Sequence, residues 1–162
     1  MIVDDIKNIA KTQKVYVSFD MDGVIAEYDI SKNDLHKTKT NDYYKIKRPI
    51  KTIIHIMKML FEIQNIEVGI LSACHFENQK QDKIEWLKIN VPFLKKENIH
   101  IISYEKIKFD EKNKYGLKTQ YLENLFKNNQ YIVFHIDDDV RVIKSMKNSS
   151  DINVVHISSL IE

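Results

Sequence analysis

Five short apolar segments, separated by stretches that favour helix, place the strongest constraint on the fold of this chain. They are rich in β-branched and aromatic residues and span residues 15–19, 66–71, 99–102, 131–136 and 153–157. Between them, helices are predicted for residues 50–63, 79–88, 117–127 and 138–147, most clearly for 50–63, where apolar residues recur on one helix face. Such alternation predicts an α/β fold with a parallel sheet covered on both faces.

The composition indicates one domain, which we expect to span residues 1–162. A chain of 162 residues with 43% hydrophobic residues can form one core of ordinary size. Its net charge of +2 comes from 25 basic and 23 acidic residues spread along the chain, so no basic arm for nucleic acid is indicated. A single cysteine, no signal-peptide pattern and no apolar run of membrane-spanning length predict a cytoplasmic protein without membrane association.

Two aspartates, Asp20 and Asp22, directly follow the first predicted strand and precede Gly23. Open α/β sheets bind ligands at the carboxyl ends of their strands, which is where this pair is expected. Like charges this close are costly unless a cation or a shared proton relieves them, and glycine allows the chain to turn sharply there. Taken alone, an Asp-x-Asp sequence would more often be a turn or a helix cap.

Polar residues also follow the second and fourth predicted strands. They are Ser72-Ala73-Cys74 and Asp137-Asp138-Asp139, and Lys83 lies near the start of the helix after Ser72. At the carboxyl edge of a parallel sheet these groups would converge with the first pair of aspartates. Acidic oxygens from two strands can hold Mg²⁺, and a hydroxyl, a lysine and main-chain N–H groups can bind a phosphate. The set therefore suits phosphoryl transfer through a carboxylate nucleophile.

Each of these residues also has a plainer interpretation. Ser72 alone would more often be a helix N-cap, Lys83 alone a solvated lysine, and Lys80 competes with Lys83 for the lysine role. The run 137–139 could cap the helix that begins near residue 140. His135 lies on an apolar strand and is predicted to be a packed core residue.

The order of the motifs resembles that of the haloacid dehalogenase superfamily of phosphatases. The resemblance rests on Asp20-Met21-Asp22-Gly23-Val24, Ser72, Lys83 and Asp137-Asp138. Within that superfamily the chain is similar to the 5'(3')-deoxyribonucleotidases, to which the helix sequence Lys83-Ile84-Glu85-Trp86-Leu87 points. The resemblance implies a three-layer, Rossmann-like parallel sheet of five strands, with a short cap inserted after the first strand.

The resemblance also implies a role for each matched residue. Asp20 would be the nucleophile and Asp22 the general acid and base, while Ser72, Ala73 and Lys83 would bind the phosphoryl oxygens. The implied cofactor is Mg²⁺, held by Asp20, by the main-chain carbonyl of Asp22, by Asp137 and by Asp138. Asp139 departs from the family pattern, which leaves open which acid of the triplet contacts the metal.

The cap is assigned to residues 27–48, a polar and lysine-rich segment that we expect to form a lid, although a solvated surface loop is the alternative. Candidate substrate contacts are the aromatic residues Tyr28, Tyr43, Tyr44 and Phe76, because an aromatic face can stack on a base. An open cap would equally admit a larger substrate, such as a nucleic-acid end.

The function expected from the sequence is that of a Mg²⁺-dependent phosphomonoesterase with an aspartyl-phosphate intermediate, acting on nucleoside monophosphates as a 5'-nucleotidase does. The alternatives are a phosphatase of nucleic-acid 3'-phosphates or sugar phosphates and a non-catalytic binding module with the same fold. A signalling receiver domain is disfavoured, because there the acidic pair ends the first strand and the acceptor aspartate ends the third. The oligomeric state is not predicted.

Overall fold

The computed structural model describes residues 1–28, 44–107 and 113–161. Its five-stranded sheet has the order β3-β2-β1-β4-β5, and every neighbouring pair is parallel. The strands are β1 (Lys14–Phe19), β2 (Ile66–Cys74), β3 (Ile99–Ser103), β4 (Tyr131–Asp137) and β5 (Asn153–His156). The predicted α/β fold with a parallel five-stranded sheet is confirmed.

Five α-helices accompany the sheet in the described residues: α1 (Ile2–Ala10), α2 (Lys51–Phe61), α3 (Glu77–Asn90), α4 (Leu117–Phe126) and α5 (Val140–Ser149). Sequence patterns had predicted the last four, with ends that differ from the observed ones by no more than two residues. They did not predict α1, which is nine residues long and buries Val3, Ile6 and Ala10. In the described part of the chain, no helix combines the length and the apolar character needed to cross a membrane.

Two hydrophobic layers cover the two faces of the sheet, because successive side chains of a strand point to opposite faces. Val15, Val17 and Phe19 of β1 pack in the layer formed with α1, α2 and α3. Tyr16 packs in the other layer, with α4 and α5. The sheet is thus the middle of three layers, as the resemblance implied.

The central strand β1 lies between β2 and β4, because the chain adds β2 and β3 on one side of β1 and then crosses over to add β4 and β5 on the other. Such a switch point opens a crevice at the carboxyl edge of the sheet. Phe19 pairs with Ile136 of β4, and the Asp20 main-chain N–H donates to the Ile136 carbonyl at 2.9 Å. The register therefore brings Asp20 level with the acidic run that follows β4.

A tight turn follows β1. Gly23 has φ of +77°, a conformation that glycine adopts without steric penalty. The two ends of the following insertion are joined by main-chain hydrogen bonds, from Glu27 N–H to the Arg48 carbonyl and from Ile50 N–H to the Ile25 carbonyl, both 2.8 Å. Of the predicted cap, residues 29–43 lie outside the described residues, so the cap stays a prediction.

Gly69 in β2 provides a test of the packing. A Cβ atom there would lie 2.0 Å from the Tyr16 hydroxyl oxygen and 2.7 Å from the Asn98 carbonyl oxygen. Tyr16 is only 2% exposed, so its ring has little room to move. We expect Gly69→Ala to lower the free energy of unfolding by about 1–3 kcal/mol in urea denaturation.

The matched control is Gly116→Ala, where the nearest atom to an added Cβ is 3.8 Å away. This change should leave the free energy of unfolding within about 0.5 kcal/mol of wild type. Equal stabilities for the two variants would contradict the close approach of Tyr16 to Gly69.

Candidate active site

A cavity of about 540 Å³, the site cavity, opens at the carboxyl edge of the sheet. Among the residues predicted from the sequence, its walls contain Asp20, Asp22, Tyr28, Ser72, Ala73, Asp137 and Asp138. These residues come from the carboxyl ends of β2 and β4 and from the segments that follow β1 and β4, so the parallel topology brings most of them together. The polar strand ends thus face one open space.

Three carboxylates form an acidic cluster, defined as Asp20, Asp137 and Asp138. One oxygen from each lies within 4.8 Å of the others. Burial, together with the charges of Asp20 and Asp137, raises the pKa of Asp138 to about 7. A Cβ atom on Gly23 would lie 2.2 Å from an Asp138 oxygen, so the glycine makes room for this carboxylate. Three convergent carboxylates fit a hard divalent cation such as Mg²⁺.

Asp137 is held in one orientation by hydrogen bonds to both oxygens. Its Oδ2 accepts from Lys118 Nζ at 2.6 Å and lies 3.0 Å from His135 Nε2, and its Oδ1 accepts from Asp139 N–H at 2.9 Å. Burial alone would raise the pKa of Asp137, but Lys118 and His135 outweigh it and lower the pKa. This carboxylate is therefore ionised and oriented before any ligand arrives.

His135 has a larger role than the core residue predicted from the sequence. It is fully buried, as predicted, but its Nδ1 lies 2.8 Å from Ser18 Oγ and its Nε2 contacts Asp137. Ser18 and His135 thus form a buried polar chain that ends on Asp137 of the acidic cluster. The spacing of two residues along β4 places His135 on the same face as Asp137, which is the sequence pattern that could have indicated this contact.

Asp139 has a different role from its two neighbours. Its side chain accepts a hydrogen bond of 2.8 Å from Arg141 N–H and caps α5. It also pairs with the Arg141 guanidinium at 2.9 Å. The capping interpretation of the acidic run thus applies to Asp139, whereas Asp137 and Asp138 lie in the acidic cluster.

Lys83 lies behind the wall of the site cavity. Its side chain is fully buried, and its Nζ donates to Asp22 Oδ2 at 2.5 Å, to Ser72 Oγ at 2.8 Å and to the Ala73 carbonyl at 2.9 Å. Burial opposes the charge of Lys83, but Asp22 and Asp20 outweigh it and raise its pKa. Three acceptors occupy the three protons of this ammonium group, which orients Asp22 and Ser72 together.

Lys118 is the main residue of the site cavity that sequence reasoning missed. It lies in the first turn of α4, and its Nζ is 2.6 Å from Asp137 Oδ2 and 3.0 Å from Asp20 Oδ1. Burial disfavours its charge, but Asp20 and Asp137 raise its pKa. In a parallel sheet, the helix that precedes or follows a strand has one end near the carboxyl edge of the sheet. A lysine in the first turn of α4 could therefore have been predicted to lie near the site.

Asp22 lies between two ammonium groups. Its Oδ2 accepts from Lys83, and its Oδ1 accepts from Lys47, whose side chain is 3% exposed. Burial alone would raise the pKa of Asp22, but the two lysines outweigh it and lower the pKa. Lys47 was not predicted from the sequence.

The aromatic residues predicted to contact substrate occupy different places. Tyr28 lies on the wall of the site cavity, where Tyr104 and Tyr115 add aromatic surface. Tyr44 is buried and lines, with Tyr28, an adjoining cavity of about 130 Å³. Phe76 precedes α3 and lines neither of these two cavities, and Tyr43 lies outside the described residues.

No family model and no curated protein matches the chain, whereas several solved structures do. A chain of the Pnkp1/Rnl/Hen1 RNA repair complex aligns with a TM-score of 0.63 and 13% identity over 90% of this chain and 42% of that one. The present chain thus spans less than half of that relative.

A class C acid phosphatase from Bacillus anthracis aligns with a TM-score of 0.58 and 15% identity, over 96% of this chain and 72% of that one. Its tungstate-bound structure aligns with a TM-score of 0.55 and 15% identity, over 96% of this chain and 73% of that one. The fold is therefore one that an acid phosphatase shares.

The raised pKa of Asp138 predicts a pH-dependent stability for the metal-free protein. Because the folded state holds this proton up to about pH 7, whereas an unfolded aspartate releases it near its ordinary pKa, rising pH favours unfolding across that window. Asp138→Asn removes the charge, so in EDTA its melting temperature should match wild type near pH 4 and exceed it at pH 8.

Asp139→Asn is the control, for which we expect the opposite change in melting temperature at pH 8. Burial would raise the pKa of Asp139, but Arg141 outweighs it and lowers the pKa, so the ionised form stabilises the fold. This variant should melt below wild type at pH 8. An Asp138→Asn variant that melts below wild type at pH 8 would contradict the crowding of the three carboxylates.

Proposed function

We propose that the protein is a Mg²⁺-dependent phosphomonoesterase of the haloacid dehalogenase type, with Asp20 as its nucleophile. The observation that supports this most is the acidic cluster, whose oxygens lie within 4.8 Å of one another on the site cavity that also contains Ser72 and Lys118. Convergent acids suit a cation, whereas a lysine and a hydroxyl suit a phosphate. Both kinds of group on one cavity favour phosphoryl transfer over binding of a cation alone.

In the first step, an Asp20 carboxylate oxygen attacks phosphorus, and the bond from phosphorus to the leaving oxygen breaks. Asp22 in its protonated form, which the second step regenerates, gives its proton to that oxygen as it departs. In the second step, Asp22 takes a proton from a water molecule that attacks the phosphorus of the aspartyl phosphate. Asp20 is then released together with inorganic phosphate.

The metal would be held by the carboxylates of the acidic cluster and the main-chain carbonyl of Asp22. When bound, Mg²⁺ supplies the positive charge that reduces the repulsion between a carboxylate nucleophile and a phosphate dianion. The hydrogen bonds to both oxygens of Asp137 keep this ligand in place. Such support of a ligand from behind is common at metal sites.

Two of the buried lysines, Lys118 and Lys83, have different roles toward the phosphate. Lys118 lies on the wall of the site cavity, and its two described carboxylate partners leave one ammonium proton for a phosphoryl oxygen. Ser72 and the Ala73 main chain would contact the other oxygens. Lys83, which was predicted to bind phosphate, would act mainly by orienting Ser72 and Asp22.

We propose a nucleoside monophosphate as the substrate. Tyr28, Tyr104 and Tyr115 give the site cavity aromatic surface, and stacking of a base on such a side chain contributes about 1–3 kcal/mol. The second candidate is a nucleic-acid 3'-phosphate. It is supported by the structural similarity to a chain of an RNA repair complex and by Lys114 and Arg141 on the cavity wall, which could contact further phosphates.

The assignment of the nucleophile is tested with Asp20→Asn. Because an amide cannot form the aspartyl phosphate, hydrolysis of p-nitrophenyl phosphate with added Mg²⁺ should fall by roughly 10³-fold or more, while the circular dichroism spectrum is unchanged. Addition of EDTA to wild type should abolish turnover. Asp151→Asn, on an exposed loop, is the matched control and should keep full activity.

The same assay with a panel of substrates tests the substrate class. The panel contains deoxynucleotides, ribonucleotides, sugar phosphates and a 3'-phosphorylated oligonucleotide. Turnover of the oligonucleotide alone would replace the nucleotide proposal with the second candidate. Unchanged turnover by Asp20→Asn would contradict the mechanism itself.

The role of Lys118 is tested with Lys118→Met, which keeps the length of the side chain and removes its charge. Loss of the ammonium group between Asp20 and Asp137 should lower kcat/KM for p-nitrophenyl phosphate by about 10²–10³-fold. Lys127→Met, at the exposed end of α4, should have wild-type kinetics. A wild-type value for Lys118→Met would remove Lys118 from the proposed mechanism.

A further inference from the structure

The site cavity has a second, more exposed end, which the two steps of the proposed reaction do not use. Its wall there is formed by Lys114, Tyr115 and Arg141, which we call the outer cation site. The Arg141 side chain is 66% exposed and Lys114 and Tyr115 are half-buried, whereas Asp20 and Ser72 are buried. A cavity of about 540 Å³ can hold a whole small-molecule ligand. A single phosphate group would therefore fill only its buried end.

Arg141 is held in one position although it lies at the surface. Its Nε and Nη2 donate to the two oxygens of Asp139, both at 2.9 Å, and its guanidinium carbon lies 4.7 Å from the centre of the Tyr115 ring. A guanidinium group has five N–H donors, and Asp139 accepts two of them, so three remain for a ligand. Because the side chain is ordered before a ligand arrives, the entropic cost of binding is lowered.

The stability of helix α5 does not explain why Arg141 stands at this position. It is the second residue of the helix, and a cation near a helix N-terminus is unfavourable, because the main-chain N–H groups there carry partial positive charge. Asp139 caps the helix through the Arg141 main-chain N–H, a bond that does not involve the guanidinium group. An anionic ligand in the site cavity would account for the positive charge.

Lys114 brings a second positive charge to the same end of the cavity. Its Nζ lies 5.1 Å from the centre of the Tyr115 ring, so the two cations contact one aromatic side chain. No ion pair among the described residues includes Lys114. Lys114 precedes Lys118 by about one helical turn, a rise of roughly 6–8 Å, and both line the site cavity. The outer cation site thus lies about one turn from the ammonium group proposed to bind the phosphoryl oxygen.

We propose that Lys114 and Arg141 bind a second phosphate group of the substrate, one that is not hydrolysed. The inference rests on the proposed function and narrows the substrate to phosphomonoesters that carry another phosphate about one pentose away. Lysine and arginine bind phosphate through charge-assisted hydrogen bonds, and arginine can present two N–H groups at once. The second phosphate can belong to a nucleoside bisphosphate or to the next phosphodiester of a nucleic-acid strand. A nucleoside monophosphate would leave the outer cation site empty.

The test measures binding by isothermal titration calorimetry with Mg²⁺ in the Asp20→Asn background, where no aspartyl phosphate can form. Adenosine 3',5'-bisphosphate should bind at least about tenfold more tightly than adenosine 3'-monophosphate or 5'-monophosphate. Lys114→Gln and Arg141→Gln should each reduce this preference by about three- to tenfold, and the double variant should abolish it. Equal affinities for the three ligands, or a preference that survives in the double variant, would overturn the inference.

Lys147→Gln is the matched control. Lys147 is an exposed lysine of the same helix and does not line the site cavity, so this variant should keep the full preference for the bisphosphate. A loss as large as that in Lys114→Gln would indicate only a general attraction of the basic surface for anions and would overturn the site.

A 3'-phosphorylated dinucleotide distinguishes the two sources of the second phosphate, because its internal phosphodiester lies one pentose from the terminal phosphate. Tighter binding than that of adenosine 3'-monophosphate, lost in the double variant, would support the site and identify a nucleic-acid strand as the source. Tighter binding of the bisphosphate alone would support the site and identify a nucleoside bisphosphate. Either preference in a wild-type protein that hydrolyses no phosphomonoester would show that the proposed function alone is wrong.

Discussion

Four carboxylates lie close together at the carboxyl edge of the sheet, and their mutual repulsion determines which residues must surround the site. Asp20, Asp22, Asp137 and Asp138 all line one cavity, and two of them are almost fully buried. Charges removed from water in this way are tolerated only when they are paired and hydrogen-bonded. Three buried lysines provide the pairing, namely Lys47, Lys83 and Lys118.

This pairing leaves a defined charge on the described part of the site. With all groups ionised, the four carboxylates exceed the three buried ammonium groups by one negative charge, and Lys114 on the cavity wall carries one positive charge. A magnesium ion and a phosphomonoester dianion carry equal and opposite charges, so their arrival as a pair would leave that balance unchanged. Among the four acids, Asp138 accepts no hydrogen bond from a described lysine, in keeping with its pKa of about 7.

Much of the fold was predictable because it depends on patterns that are local in the sequence. Alternation of strands and helices predicted the parallel sheet, and parallel strands necessarily end at one edge, which brought Asp20 and Asp137 together. Helix α1 was missed because its apolar face is short and it precedes the first strand. The predicted β2 started at the observed residue but ended three residues early, because Ser72, Ala73 and Cys74 continue the strand.

The predicted site residues lie near the carboxyl ends of strands or, like Lys83, in a motif of the family that the sequence resembles. Lys118 and Lys47 belong to no motif, and their positions depend on where α4 begins and where the insertion returns to the sheet. Lys47 and Asp22 are 25 residues apart in the sequence, with the insertion between them. Sequence spacing cannot predict such a pair, because the path of the intervening chain sets the distance.

The lysines of the site come from opposite sides of the sheet. Lys83 lies on α3, in the layer with α1 and α2, whereas Lys118 lies on α4, in the layer with α5. A folding intermediate with only the first layer formed would hold Asp20 and Asp137 close together without the cation between them. Repulsion between these two carboxylates would raise the free energy of such an intermediate. The charges of the site would thus favour folding of both layers together over folding of one layer alone.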